Sequence, residues 1–371
     1  MSEVYAPRRE RLRERCAAGG SAAVLVSRPA NVRYLAGGAP PGAALLLHAG
    51  GAERDVLLCP RPPVGDPAEG RVDEALHVTV LPQAGGDAAV AAADLAAGSG
   101  ADVLAVEEHH LSVARYRALG SVADGLRLAD LGTAIEQERI VKDDEEITCL
   151  RIAAEIADQA LGELLESILV GRTERHLALE LERRLVDHGA DGPAFPTSVA
   201  TGPNSGRGGH RPSDRRVEEG DFLSVCLGAN YRGYRCEIGR TFVIGSTPAD
   251  WQIELYDLVF AAQRAAREAL APGTPCRDVD RAARQILDGA GYGEGLAHSL
   301  GHGVGLEIEE DPQLSPSAMS KLDACVPVTV EPGVHLPGRG GVRIDDTLVV
   351  RQEADGGPEL LTITTKELLA L

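Results

Sequence analysis

One pattern occurs twice in the second half of the chain. Gly171 precedes a stretch in which Leu177, Leu181 and Leu185 recur before Gly189, and Gly273 precedes Val279, Ala283 and Leu287 before Gly291. The two copies are offset by 102 residues (291 minus 189). Apolar residues four apart mark one face of a helix, and a glycine just beyond them marks its end. Each copy then runs into short, glycine-punctuated segments that read as strands. A helix–helix–strands unit repeated in this way predicts a pseudo-twofold domain with a cleft between its halves.

The chain of 371 residues exceeds one ordinary core, and at roughly 100 to 200 residues per domain it divides into two. Ahead of the repeat, residues 8–19 read as an Arg-rich amphipathic helix. The apolar runs 22–27, 43–48, 55–59 and 77–81, bounded by Gly, Pro and Asp, read as strands. Residues 91–97 and 112–119 carry helical patterns, while the Gly/Ala/Pro-rich stretches 37–43 and 84–101 read by composition as loops. This describes a mixed α/β unit over residues 1–136, followed by a second domain over 137–371, and an α+β class for the whole. The second domain opens on Val141-Lys-Asp-Asp-Glu-Glu-Ile147, whose acids suit the positive end of a helix dipole, ahead of an apolar-periodic stretch to Leu169. Thr173 is placed to cap the next helix, which runs to His188 and ends at Gly189.

Composition narrows the function. The 37 basic and 56 acidic residues leave a net charge of −19, which repels phosphate backbones and anionic lipid, so neither a nucleic acid nor a membrane surface is expected as partner. The seven cysteines are odd in number and lack CxxC spacing, which speaks against a disulfide framework or a zinc knuckle and for a reducing cytoplasm. No apolar run follows the basic residues near the N-terminus, and no segment has the length of a membrane span, so no targeting segment is expected.

Chemistry concentrates in a few segments of the second domain. Gly220-Asp-Phe-Leu-Ser-Val-Cys226 and Gly233-Tyr-Arg-Cys-Glu237 flank a turn-rich insert, and a hairpin there brings Cys226 and Glu237 to one surface. His298-Ser-Leu-Gly-His302-Gly-Val-Gly305, Glu331-Pro-Gly333 and Gly341-Val-Arg343-Ile-Asp345-Asp346 follow. Three convergent carboxylates, Glu237, Glu331 and Asp345, need neutralising, by a metal ion or by Arg240 and Arg343. Cys226 taken alone reads as a small buried hydrophobe on a strand. No Lys-Ser/Thr follows Gly301-His-Gly-Val-Gly305, so it reads as no phosphate loop.

Together these segments resemble the signature of the pita-bread peptidase family, which includes aminopeptidase P, prolidase, methionine aminopeptidase and creatinase. In that family Asp, Asp, His, Glu and Glu hold two divalent ions that activate a water. Here the register is kept and the residues are edited: Cys226 stands at the first Asp, Glu237 at the second and Asp345 at the last Glu, whereas His302 and Glu331 match. The resemblance implies an N-terminal creatinase-like α/β domain and a C-terminal pita-bread domain with the internal repeat. It implies one divalent ion (Mn, Zn, Co or Fe) at Glu237, His302, Glu331 and Asp345, or none. The softer Cys226 thiol removes a hard oxygen from the second ion's place and would favour zinc there. His298 matches the family's substrate-facing His, Glu309 replaces a later His, and His335 replaces the usual Tyr. His210 falls one position after Gly209, which aligns with the first supporting His.

Three functions follow from the resemblance. The first is an Xaa-Pro hydrolase of the aminopeptidase P or prolidase type, in which Glu331 or Glu309 takes the proton and His298 steadies the oxygen, with His210 and His302 as further acid–base candidates. The second is a metal-free, creatinase-like C–N hydrolase of a small guanidino or amide compound. The third is a catalytically silent member that holds a peptide or protein in the cleft. Two-domain relatives suggest a homodimer.

Overall fold

The computed structural model describes residues 4–62, 71–82, 86–122, 125–167, 169–245, 247–292 and 299–371. The chain forms two compact units, Met1–Arg139 and Ile140–Leu371.

The first unit is built on a six-stranded sheet, in the order His77–Val80, Val56–Cys59, Ala44–His48, Ala23–Val26, Val103–Val106, Arg127–Asp130. The three central antiparallel strands are flanked by parallel pairings at both edges. The helix Ala88–Gly98 covers one face of this sheet with five buried alanines, whose small side chains let a helix approach the strands closely. Asp87 caps it by accepting from the backbone N–H of Ala89 at 2.9 Å and Val90 at 3.3 Å. The helical pattern over 91–97 is thus borne out and the loop reading of 84–101 is corrected: composition suggested Gly/Ala flexibility, but an aspartate cap and alanine spacing make a helix. The Arg-rich helix Tyr5–Ala18 also differs from a solvated charged face, because Arg8, Arg9 and Arg13 are buried. Arg9 pairs with Asp73 at 2.7 Å and Arg13 with Asp55 at 2.6 Å, while Arg8 donates to the Tyr34 carbonyl at 3.0 Å and lies over the Tyr34 ring.

The second unit carries the repeat. Helices Glu174–Asp187 and Cys276–Gly289 coincide at both ends under the offset of 102 residues (276 minus 174, 289 minus 187). Each follows a longer helix, Asp144–Leu165 or Asp250–Ala269. The acidic run does open the first of these, with Asp143 and Glu146 forming a reciprocal capping box. Two apolar cores correspond to the two halves, one around Leu150, Leu161, Leu181 and Leu223, the other around Val259, Val279, Leu287 and Val328. Strands Ser198–Thr201, Phe222–Leu227 and Ile238–Val243 form an antiparallel sheet in the first half. In the second half, Pro327–Val330 pairs with Asp346–Val349, and Gly333–Leu336 forms a hairpin with Gly340–Arg343. No helix among the described residues is long and apolar enough to cross a membrane.

Candidate active site

The site is assembled where a strand from each half meets the other. Phe222–Leu227 and Ile238–Val243 pair with Cys226 opposite Gly239, and the excursion between them turns at Arg232 (φ +50°) and Gly233 (φ +82°). Two successive left-handed residues suit a tight two-residue hairpin, so the predicted turn forms. It brings Cys226 Sγ within 3.1 Å of Glu237 Oε1, to which the thiol donates.

Asp345 enters from the other half. Its backbone exchanges both hydrogen bonds with Gly239, N–H to O at 3.0 Å and O from N–H at 3.1 Å. Gly239 is required here, since a Cβ would lie 2.0 Å from Asp345 Oδ2. Two residues to either side of this crossing, threonine hydroxyls take over the backbone exchange. Thr347 Oγ1 accepts from Glu237 N–H at 3.0 Å and donates to Glu237 O at 2.8 Å. Thr241 Oγ1 accepts from Arg343 N–H at 3.0 Å and donates to Arg343 O at 3.0 Å.

His302 and Glu331 complete the cluster. Potential ligand atoms fall into two groups within 4.8 Å, Cys226–Glu237–Asp345 and Glu237–His302–Glu331, which share Glu237. Arg343 spans both. Its Nη2 lies 3.0 Å from Glu237 Oε1 and 2.5 Å from Glu331 Oε2, and its Nε lies 2.6 Å from Asp345 Oδ2.

Comparison with known proteins places this geometry. Residues 8–141 match the Creatinase/Prolidase N-terminal domain, and residues 148–352 match Metallopeptidase family M24. The chain belongs to metallopeptidase family M24. It is 42% identical over 235 residues to an Xaa-Pro dipeptidase of Pyrococcus furiosus, covering 63% of this chain and 66% of that protein. The chain thus matches just under two thirds of that curated relative's length. Among solved structures it resembles an Xaa-Pro dipeptidase from Bacillus anthracis (TM-score 0.89, 30% identity, 99% of this chain and 100% of that one). It also resembles an X-Pro aminopeptidase from Thermotoga maritima (TM-score 0.86, 30% identity, 98% and 100%).

As an M24 centre, the cluster has an uneven donor set. Around His302 the donors suit a divalent ion: two carboxylates and an imidazole. His302 Nδ1 lies 3.1 Å from the Gly303 carbonyl, which can only accept, so Nδ1 keeps its proton, and Nε2, which donates to Glu331 at 3.0 Å in the metal-free site, is the nitrogen that would turn to an ion. Asp345 adds a third carboxylate beside this group, buried and paired at Oδ2 with Arg343. The Cys226 group fits an ion poorly. Burial, then the Glu237 charge, pushes the Cys226 thiol well above its ordinary range, and the thiol is occupied as a donor to Glu237.

The charges balance internally. Burial and the neighbouring Glu331 charge raise Glu237 to about 8 against the pull of Arg343. Burial raises Asp345 to about 6, again restrained by Arg343. Burial opposes ionisation of Glu331 too, yet the His302 hydrogen bond and Arg343 carry it down to about 2. His302 is the mirror case: burial disfavours its cation, but the hydrogen bond and charge of Glu331 lift it to about 9.

Of the other expected residues, His298 lies outside the described residues. Glu309 is exposed and stands in neither ligand group, while its neighbour Glu310 turns inward to Lys142 at 2.8 Å. His210 is in neither group. Its Nε2 lies 2.8 Å from Glu174 Oε2, and its carbonyl accepts from Ser198 Oγ at 3.5 Å, one strand away from Cys226. Arg240 is corrected as well: it pairs with Asp346 at 2.8 Å in the interior rather than with the cluster. His335 has its Nδ1 2.9 Å from the Ser205 carbonyl and shares a hairpin face with Arg343. The threonines and Glu174 went unseen in the sequence. A period-two reading from Glu237 and Asp345 reaches Thr241 and Thr347, and is the signal that could have found them.

Proposed function

We propose that the protein is a prolidase-type peptidase that cleaves the Xaa–Pro bond of short peptides at a centre built for a single divalent ion. The observation that carries this reading is the Glu237–His302–Glu331 group, with the buried Asp345 carboxylate beside it, in a chain of the M24 family whose relatives include proteins named Xaa-Pro dipeptidase. A divalent ion held by Glu237, His302, Glu331 and Asp345 would supply Lewis-acid activation of a water.

The chain's own groups do the rest. His302 presents Nε2 to the centre because Gly303 holds its other nitrogen. Glu331 stays ionised under the pull of His302, Arg343 and the Thr329 hydroxyl, and is the proton acceptor that passes a proton on to the prolyl nitrogen. Arg343 keeps 32% of its side chain exposed, so its cation can meet the oxygen that gains charge as the amide is attacked. A homodimer in a reducing cytoplasm belongs to the same proposal, and a cysteine set that is odd in number and lacks CxxC spacing supports the compartment.

One observation favours a second reading. Arg343 and His302 already offset the carboxylates, as a metal-free C–N hydrolase would require. Elemental analysis after reconstitution with Mn²⁺, Zn²⁺ or Co²⁺, alongside hydrolysis of Ala-Pro and Ala-Ala, separates the two. The first reading expects one ion per chain and Ala-Pro cleavage that is lost in EDTA. Cleavage that persists in metal-free protein would transfer the case to the second.

A further inference from the structure

We propose that Thr241 and Thr347 are positioning residues, a pseudo-twofold pair of hydroxyl rungs that fix Arg343 and Glu237 on either side of the Gly239–Asp345 crossing. In a continuous antiparallel ladder, alternate residue pairs exchange both backbone hydrogen bonds directly. The strands here do so once, at Gly239 and Asp345, as an isolated bridge. Two residues along in each direction the next backbone exchange is replaced by a side chain. One hydroxyl has a donor and acceptor lone pairs, so a single Oγ can serve an N–H and a C=O together.

The two rungs come from opposite strands. Thr347, from the second half, holds Glu237 of the first; Thr241, from the first half, holds Arg343 of the second. Both threonines are 0% exposed, and β-branching leaves their χ1 little freedom. Half of the device recurs at a third site residue. Thr329, also buried, accepts from His302 N–H at 3.2 Å, while its own proton goes to Glu331 Oε1 at 2.5 Å. Glu237 and Arg343 thus have their backbone held by an opposing threonine rather than by a ladder bond, and on a second strand pairing His302 has its N–H held in the same way. A rung spaces the strands wider than a direct bond would, and that spacing leaves room for the Glu237, Asp345 and Arg343 side chains to converge beside Gly239.

The test compares Thr347→Val, which keeps the shape and loses the hydroxyl, with Thr347→Ser, which keeps the hydroxyl; its metal arm rests on the proposed function. Tyr256→Phe serves as control, because it removes a buried hydroxyl donating to the Lys366 carbonyl away from the cluster. Thr347→Val should weaken Mn²⁺ binding, measured by calorimetry, by roughly 10- to 100-fold, whereas Thr347→Ser should stay near wild type. Tyr256→Phe should lower Tm and leave Mn²⁺ affinity alone. A metal-free crystal structure of Thr347→Val should show the Glu237 carboxylate moved off Arg343 and Cys226. Wild-type affinity in Thr347→Val, an unmoved Glu237, or an equal loss in Tyr256→Phe would each overturn the proposal. Should Thr347→Val not fold, Thr241→Val carries the same test through the position of Arg343. A wild-type protein that takes up no Mn²⁺ would sink the proposed function instead, and the crystallographic arm alone then decides on the rungs.

Discussion

Replacing Arg343 by glutamine removes a permanent cation from contact with three carboxylates, Glu237, Glu331 and Asp345. Breaking a buried ion pair costs about 3–5 kcal/mol, but the Arg343 side chain is 32% exposed and solvent screens part of that, leaving about 2–3 kcal/mol. At about 2–4 °C per kcal/mol for a domain of this size, metal-free Arg343→Gln should melt about 4–12 °C below wild type. The penalty has a pH sign. Burial already raises Asp345 to about 6 while Arg343 restrains it, so losing Arg343 raises it further. A carboxyl raised in the folded state destabilises at high pH and ceases to do so once protonated, so the gap should close on acidification from pH 7 towards 5. Mn²⁺ should rescue the variant more than it helps wild type, because the ion then supplies the missing positive charge; saturation at 100 times Kd stabilises any binding state by about 2.7 kcal/mol. Calorimetric melts of both proteins in EDTA and in Mn²⁺ make the comparison. Equal Tm values in EDTA, or an Mn²⁺ shift no larger in the variant, would refute the reasoning.

Gly239→Ala puts a Cβ 2.0 Å from Asp345 Oδ2 and 2.4 Å from its Cγ, so it should cost about 1–3 kcal/mol and abolish tight Mn²⁺ uptake; an unchanged melt and titration would count against the crossing. Glu174 is 0% exposed and receives five donors, from Thr201, Asn204, His210 and twice from Ser213, and Glu174→Gln should cost about 3 kcal/mol at pH 7. Burial opposes its ionisation, yet the hydrogen bonds of Ser213 and Asn204 hold the carboxyl below its ordinary value. Its contribution is therefore full above the unfolded value of about 4.3 and fades as pH falls through the folded one, so urea unfolding should show a gap that narrows below about pH 4. A gap constant from pH 7 to 3 would contradict this. Glu237→Asp and Asp345→Glu should each weaken Mn²⁺ binding more than the two together, with a coupling of about 0.5–3 kcal/mol; additive losses would show that the two acids do not share a site.

The repeat was legible because helix periodicity and terminal glycines are local signals, and helices 174–187 and 276–289 fall under it at both ends. Four strands of the N-terminal sheet were legible as bounded apolar runs. Strands Val103–Val106 and Arg127–Asp130 were not, the second being an edge strand with charged ends. Convergence of Glu237, His302, Glu331 and Asp345 was expected from the resemblance of their segments to the family signature. Which arginine serves them did not: Arg240 and Arg343 both neighbour acids in sequence, and only the strand crossing sends Arg240 inward to Asp346 and Arg343 outward to the cluster. Glu309 and Glu310 differ by one residue and thus by a face. Such one-position choices are set by register, which tertiary packing fixes.

On the proposed reading of the centre, the edits to the ligand pattern that the resemblance implies are not scattered through the site. Cys226, Glu237 and Asp345, the three altered positions, make up one of the two ligand groups, while the other group keeps His302 and Glu331 as the pattern has them. Within the altered group, one acid is longer and the facing one shorter across a crossing where Gly239 leaves no side chain between them, so their combined reach is conserved. The change at Cys226 has no such compensation. A protonated thiol in place of a carboxylate removes one negative charge, and the remaining carboxylates then hold less charge than two dications would need. Arg343, touching Glu237, Glu331 and Asp345 at once, meets part of what is left, and a centre for one ion at His302 is what this donor set supports.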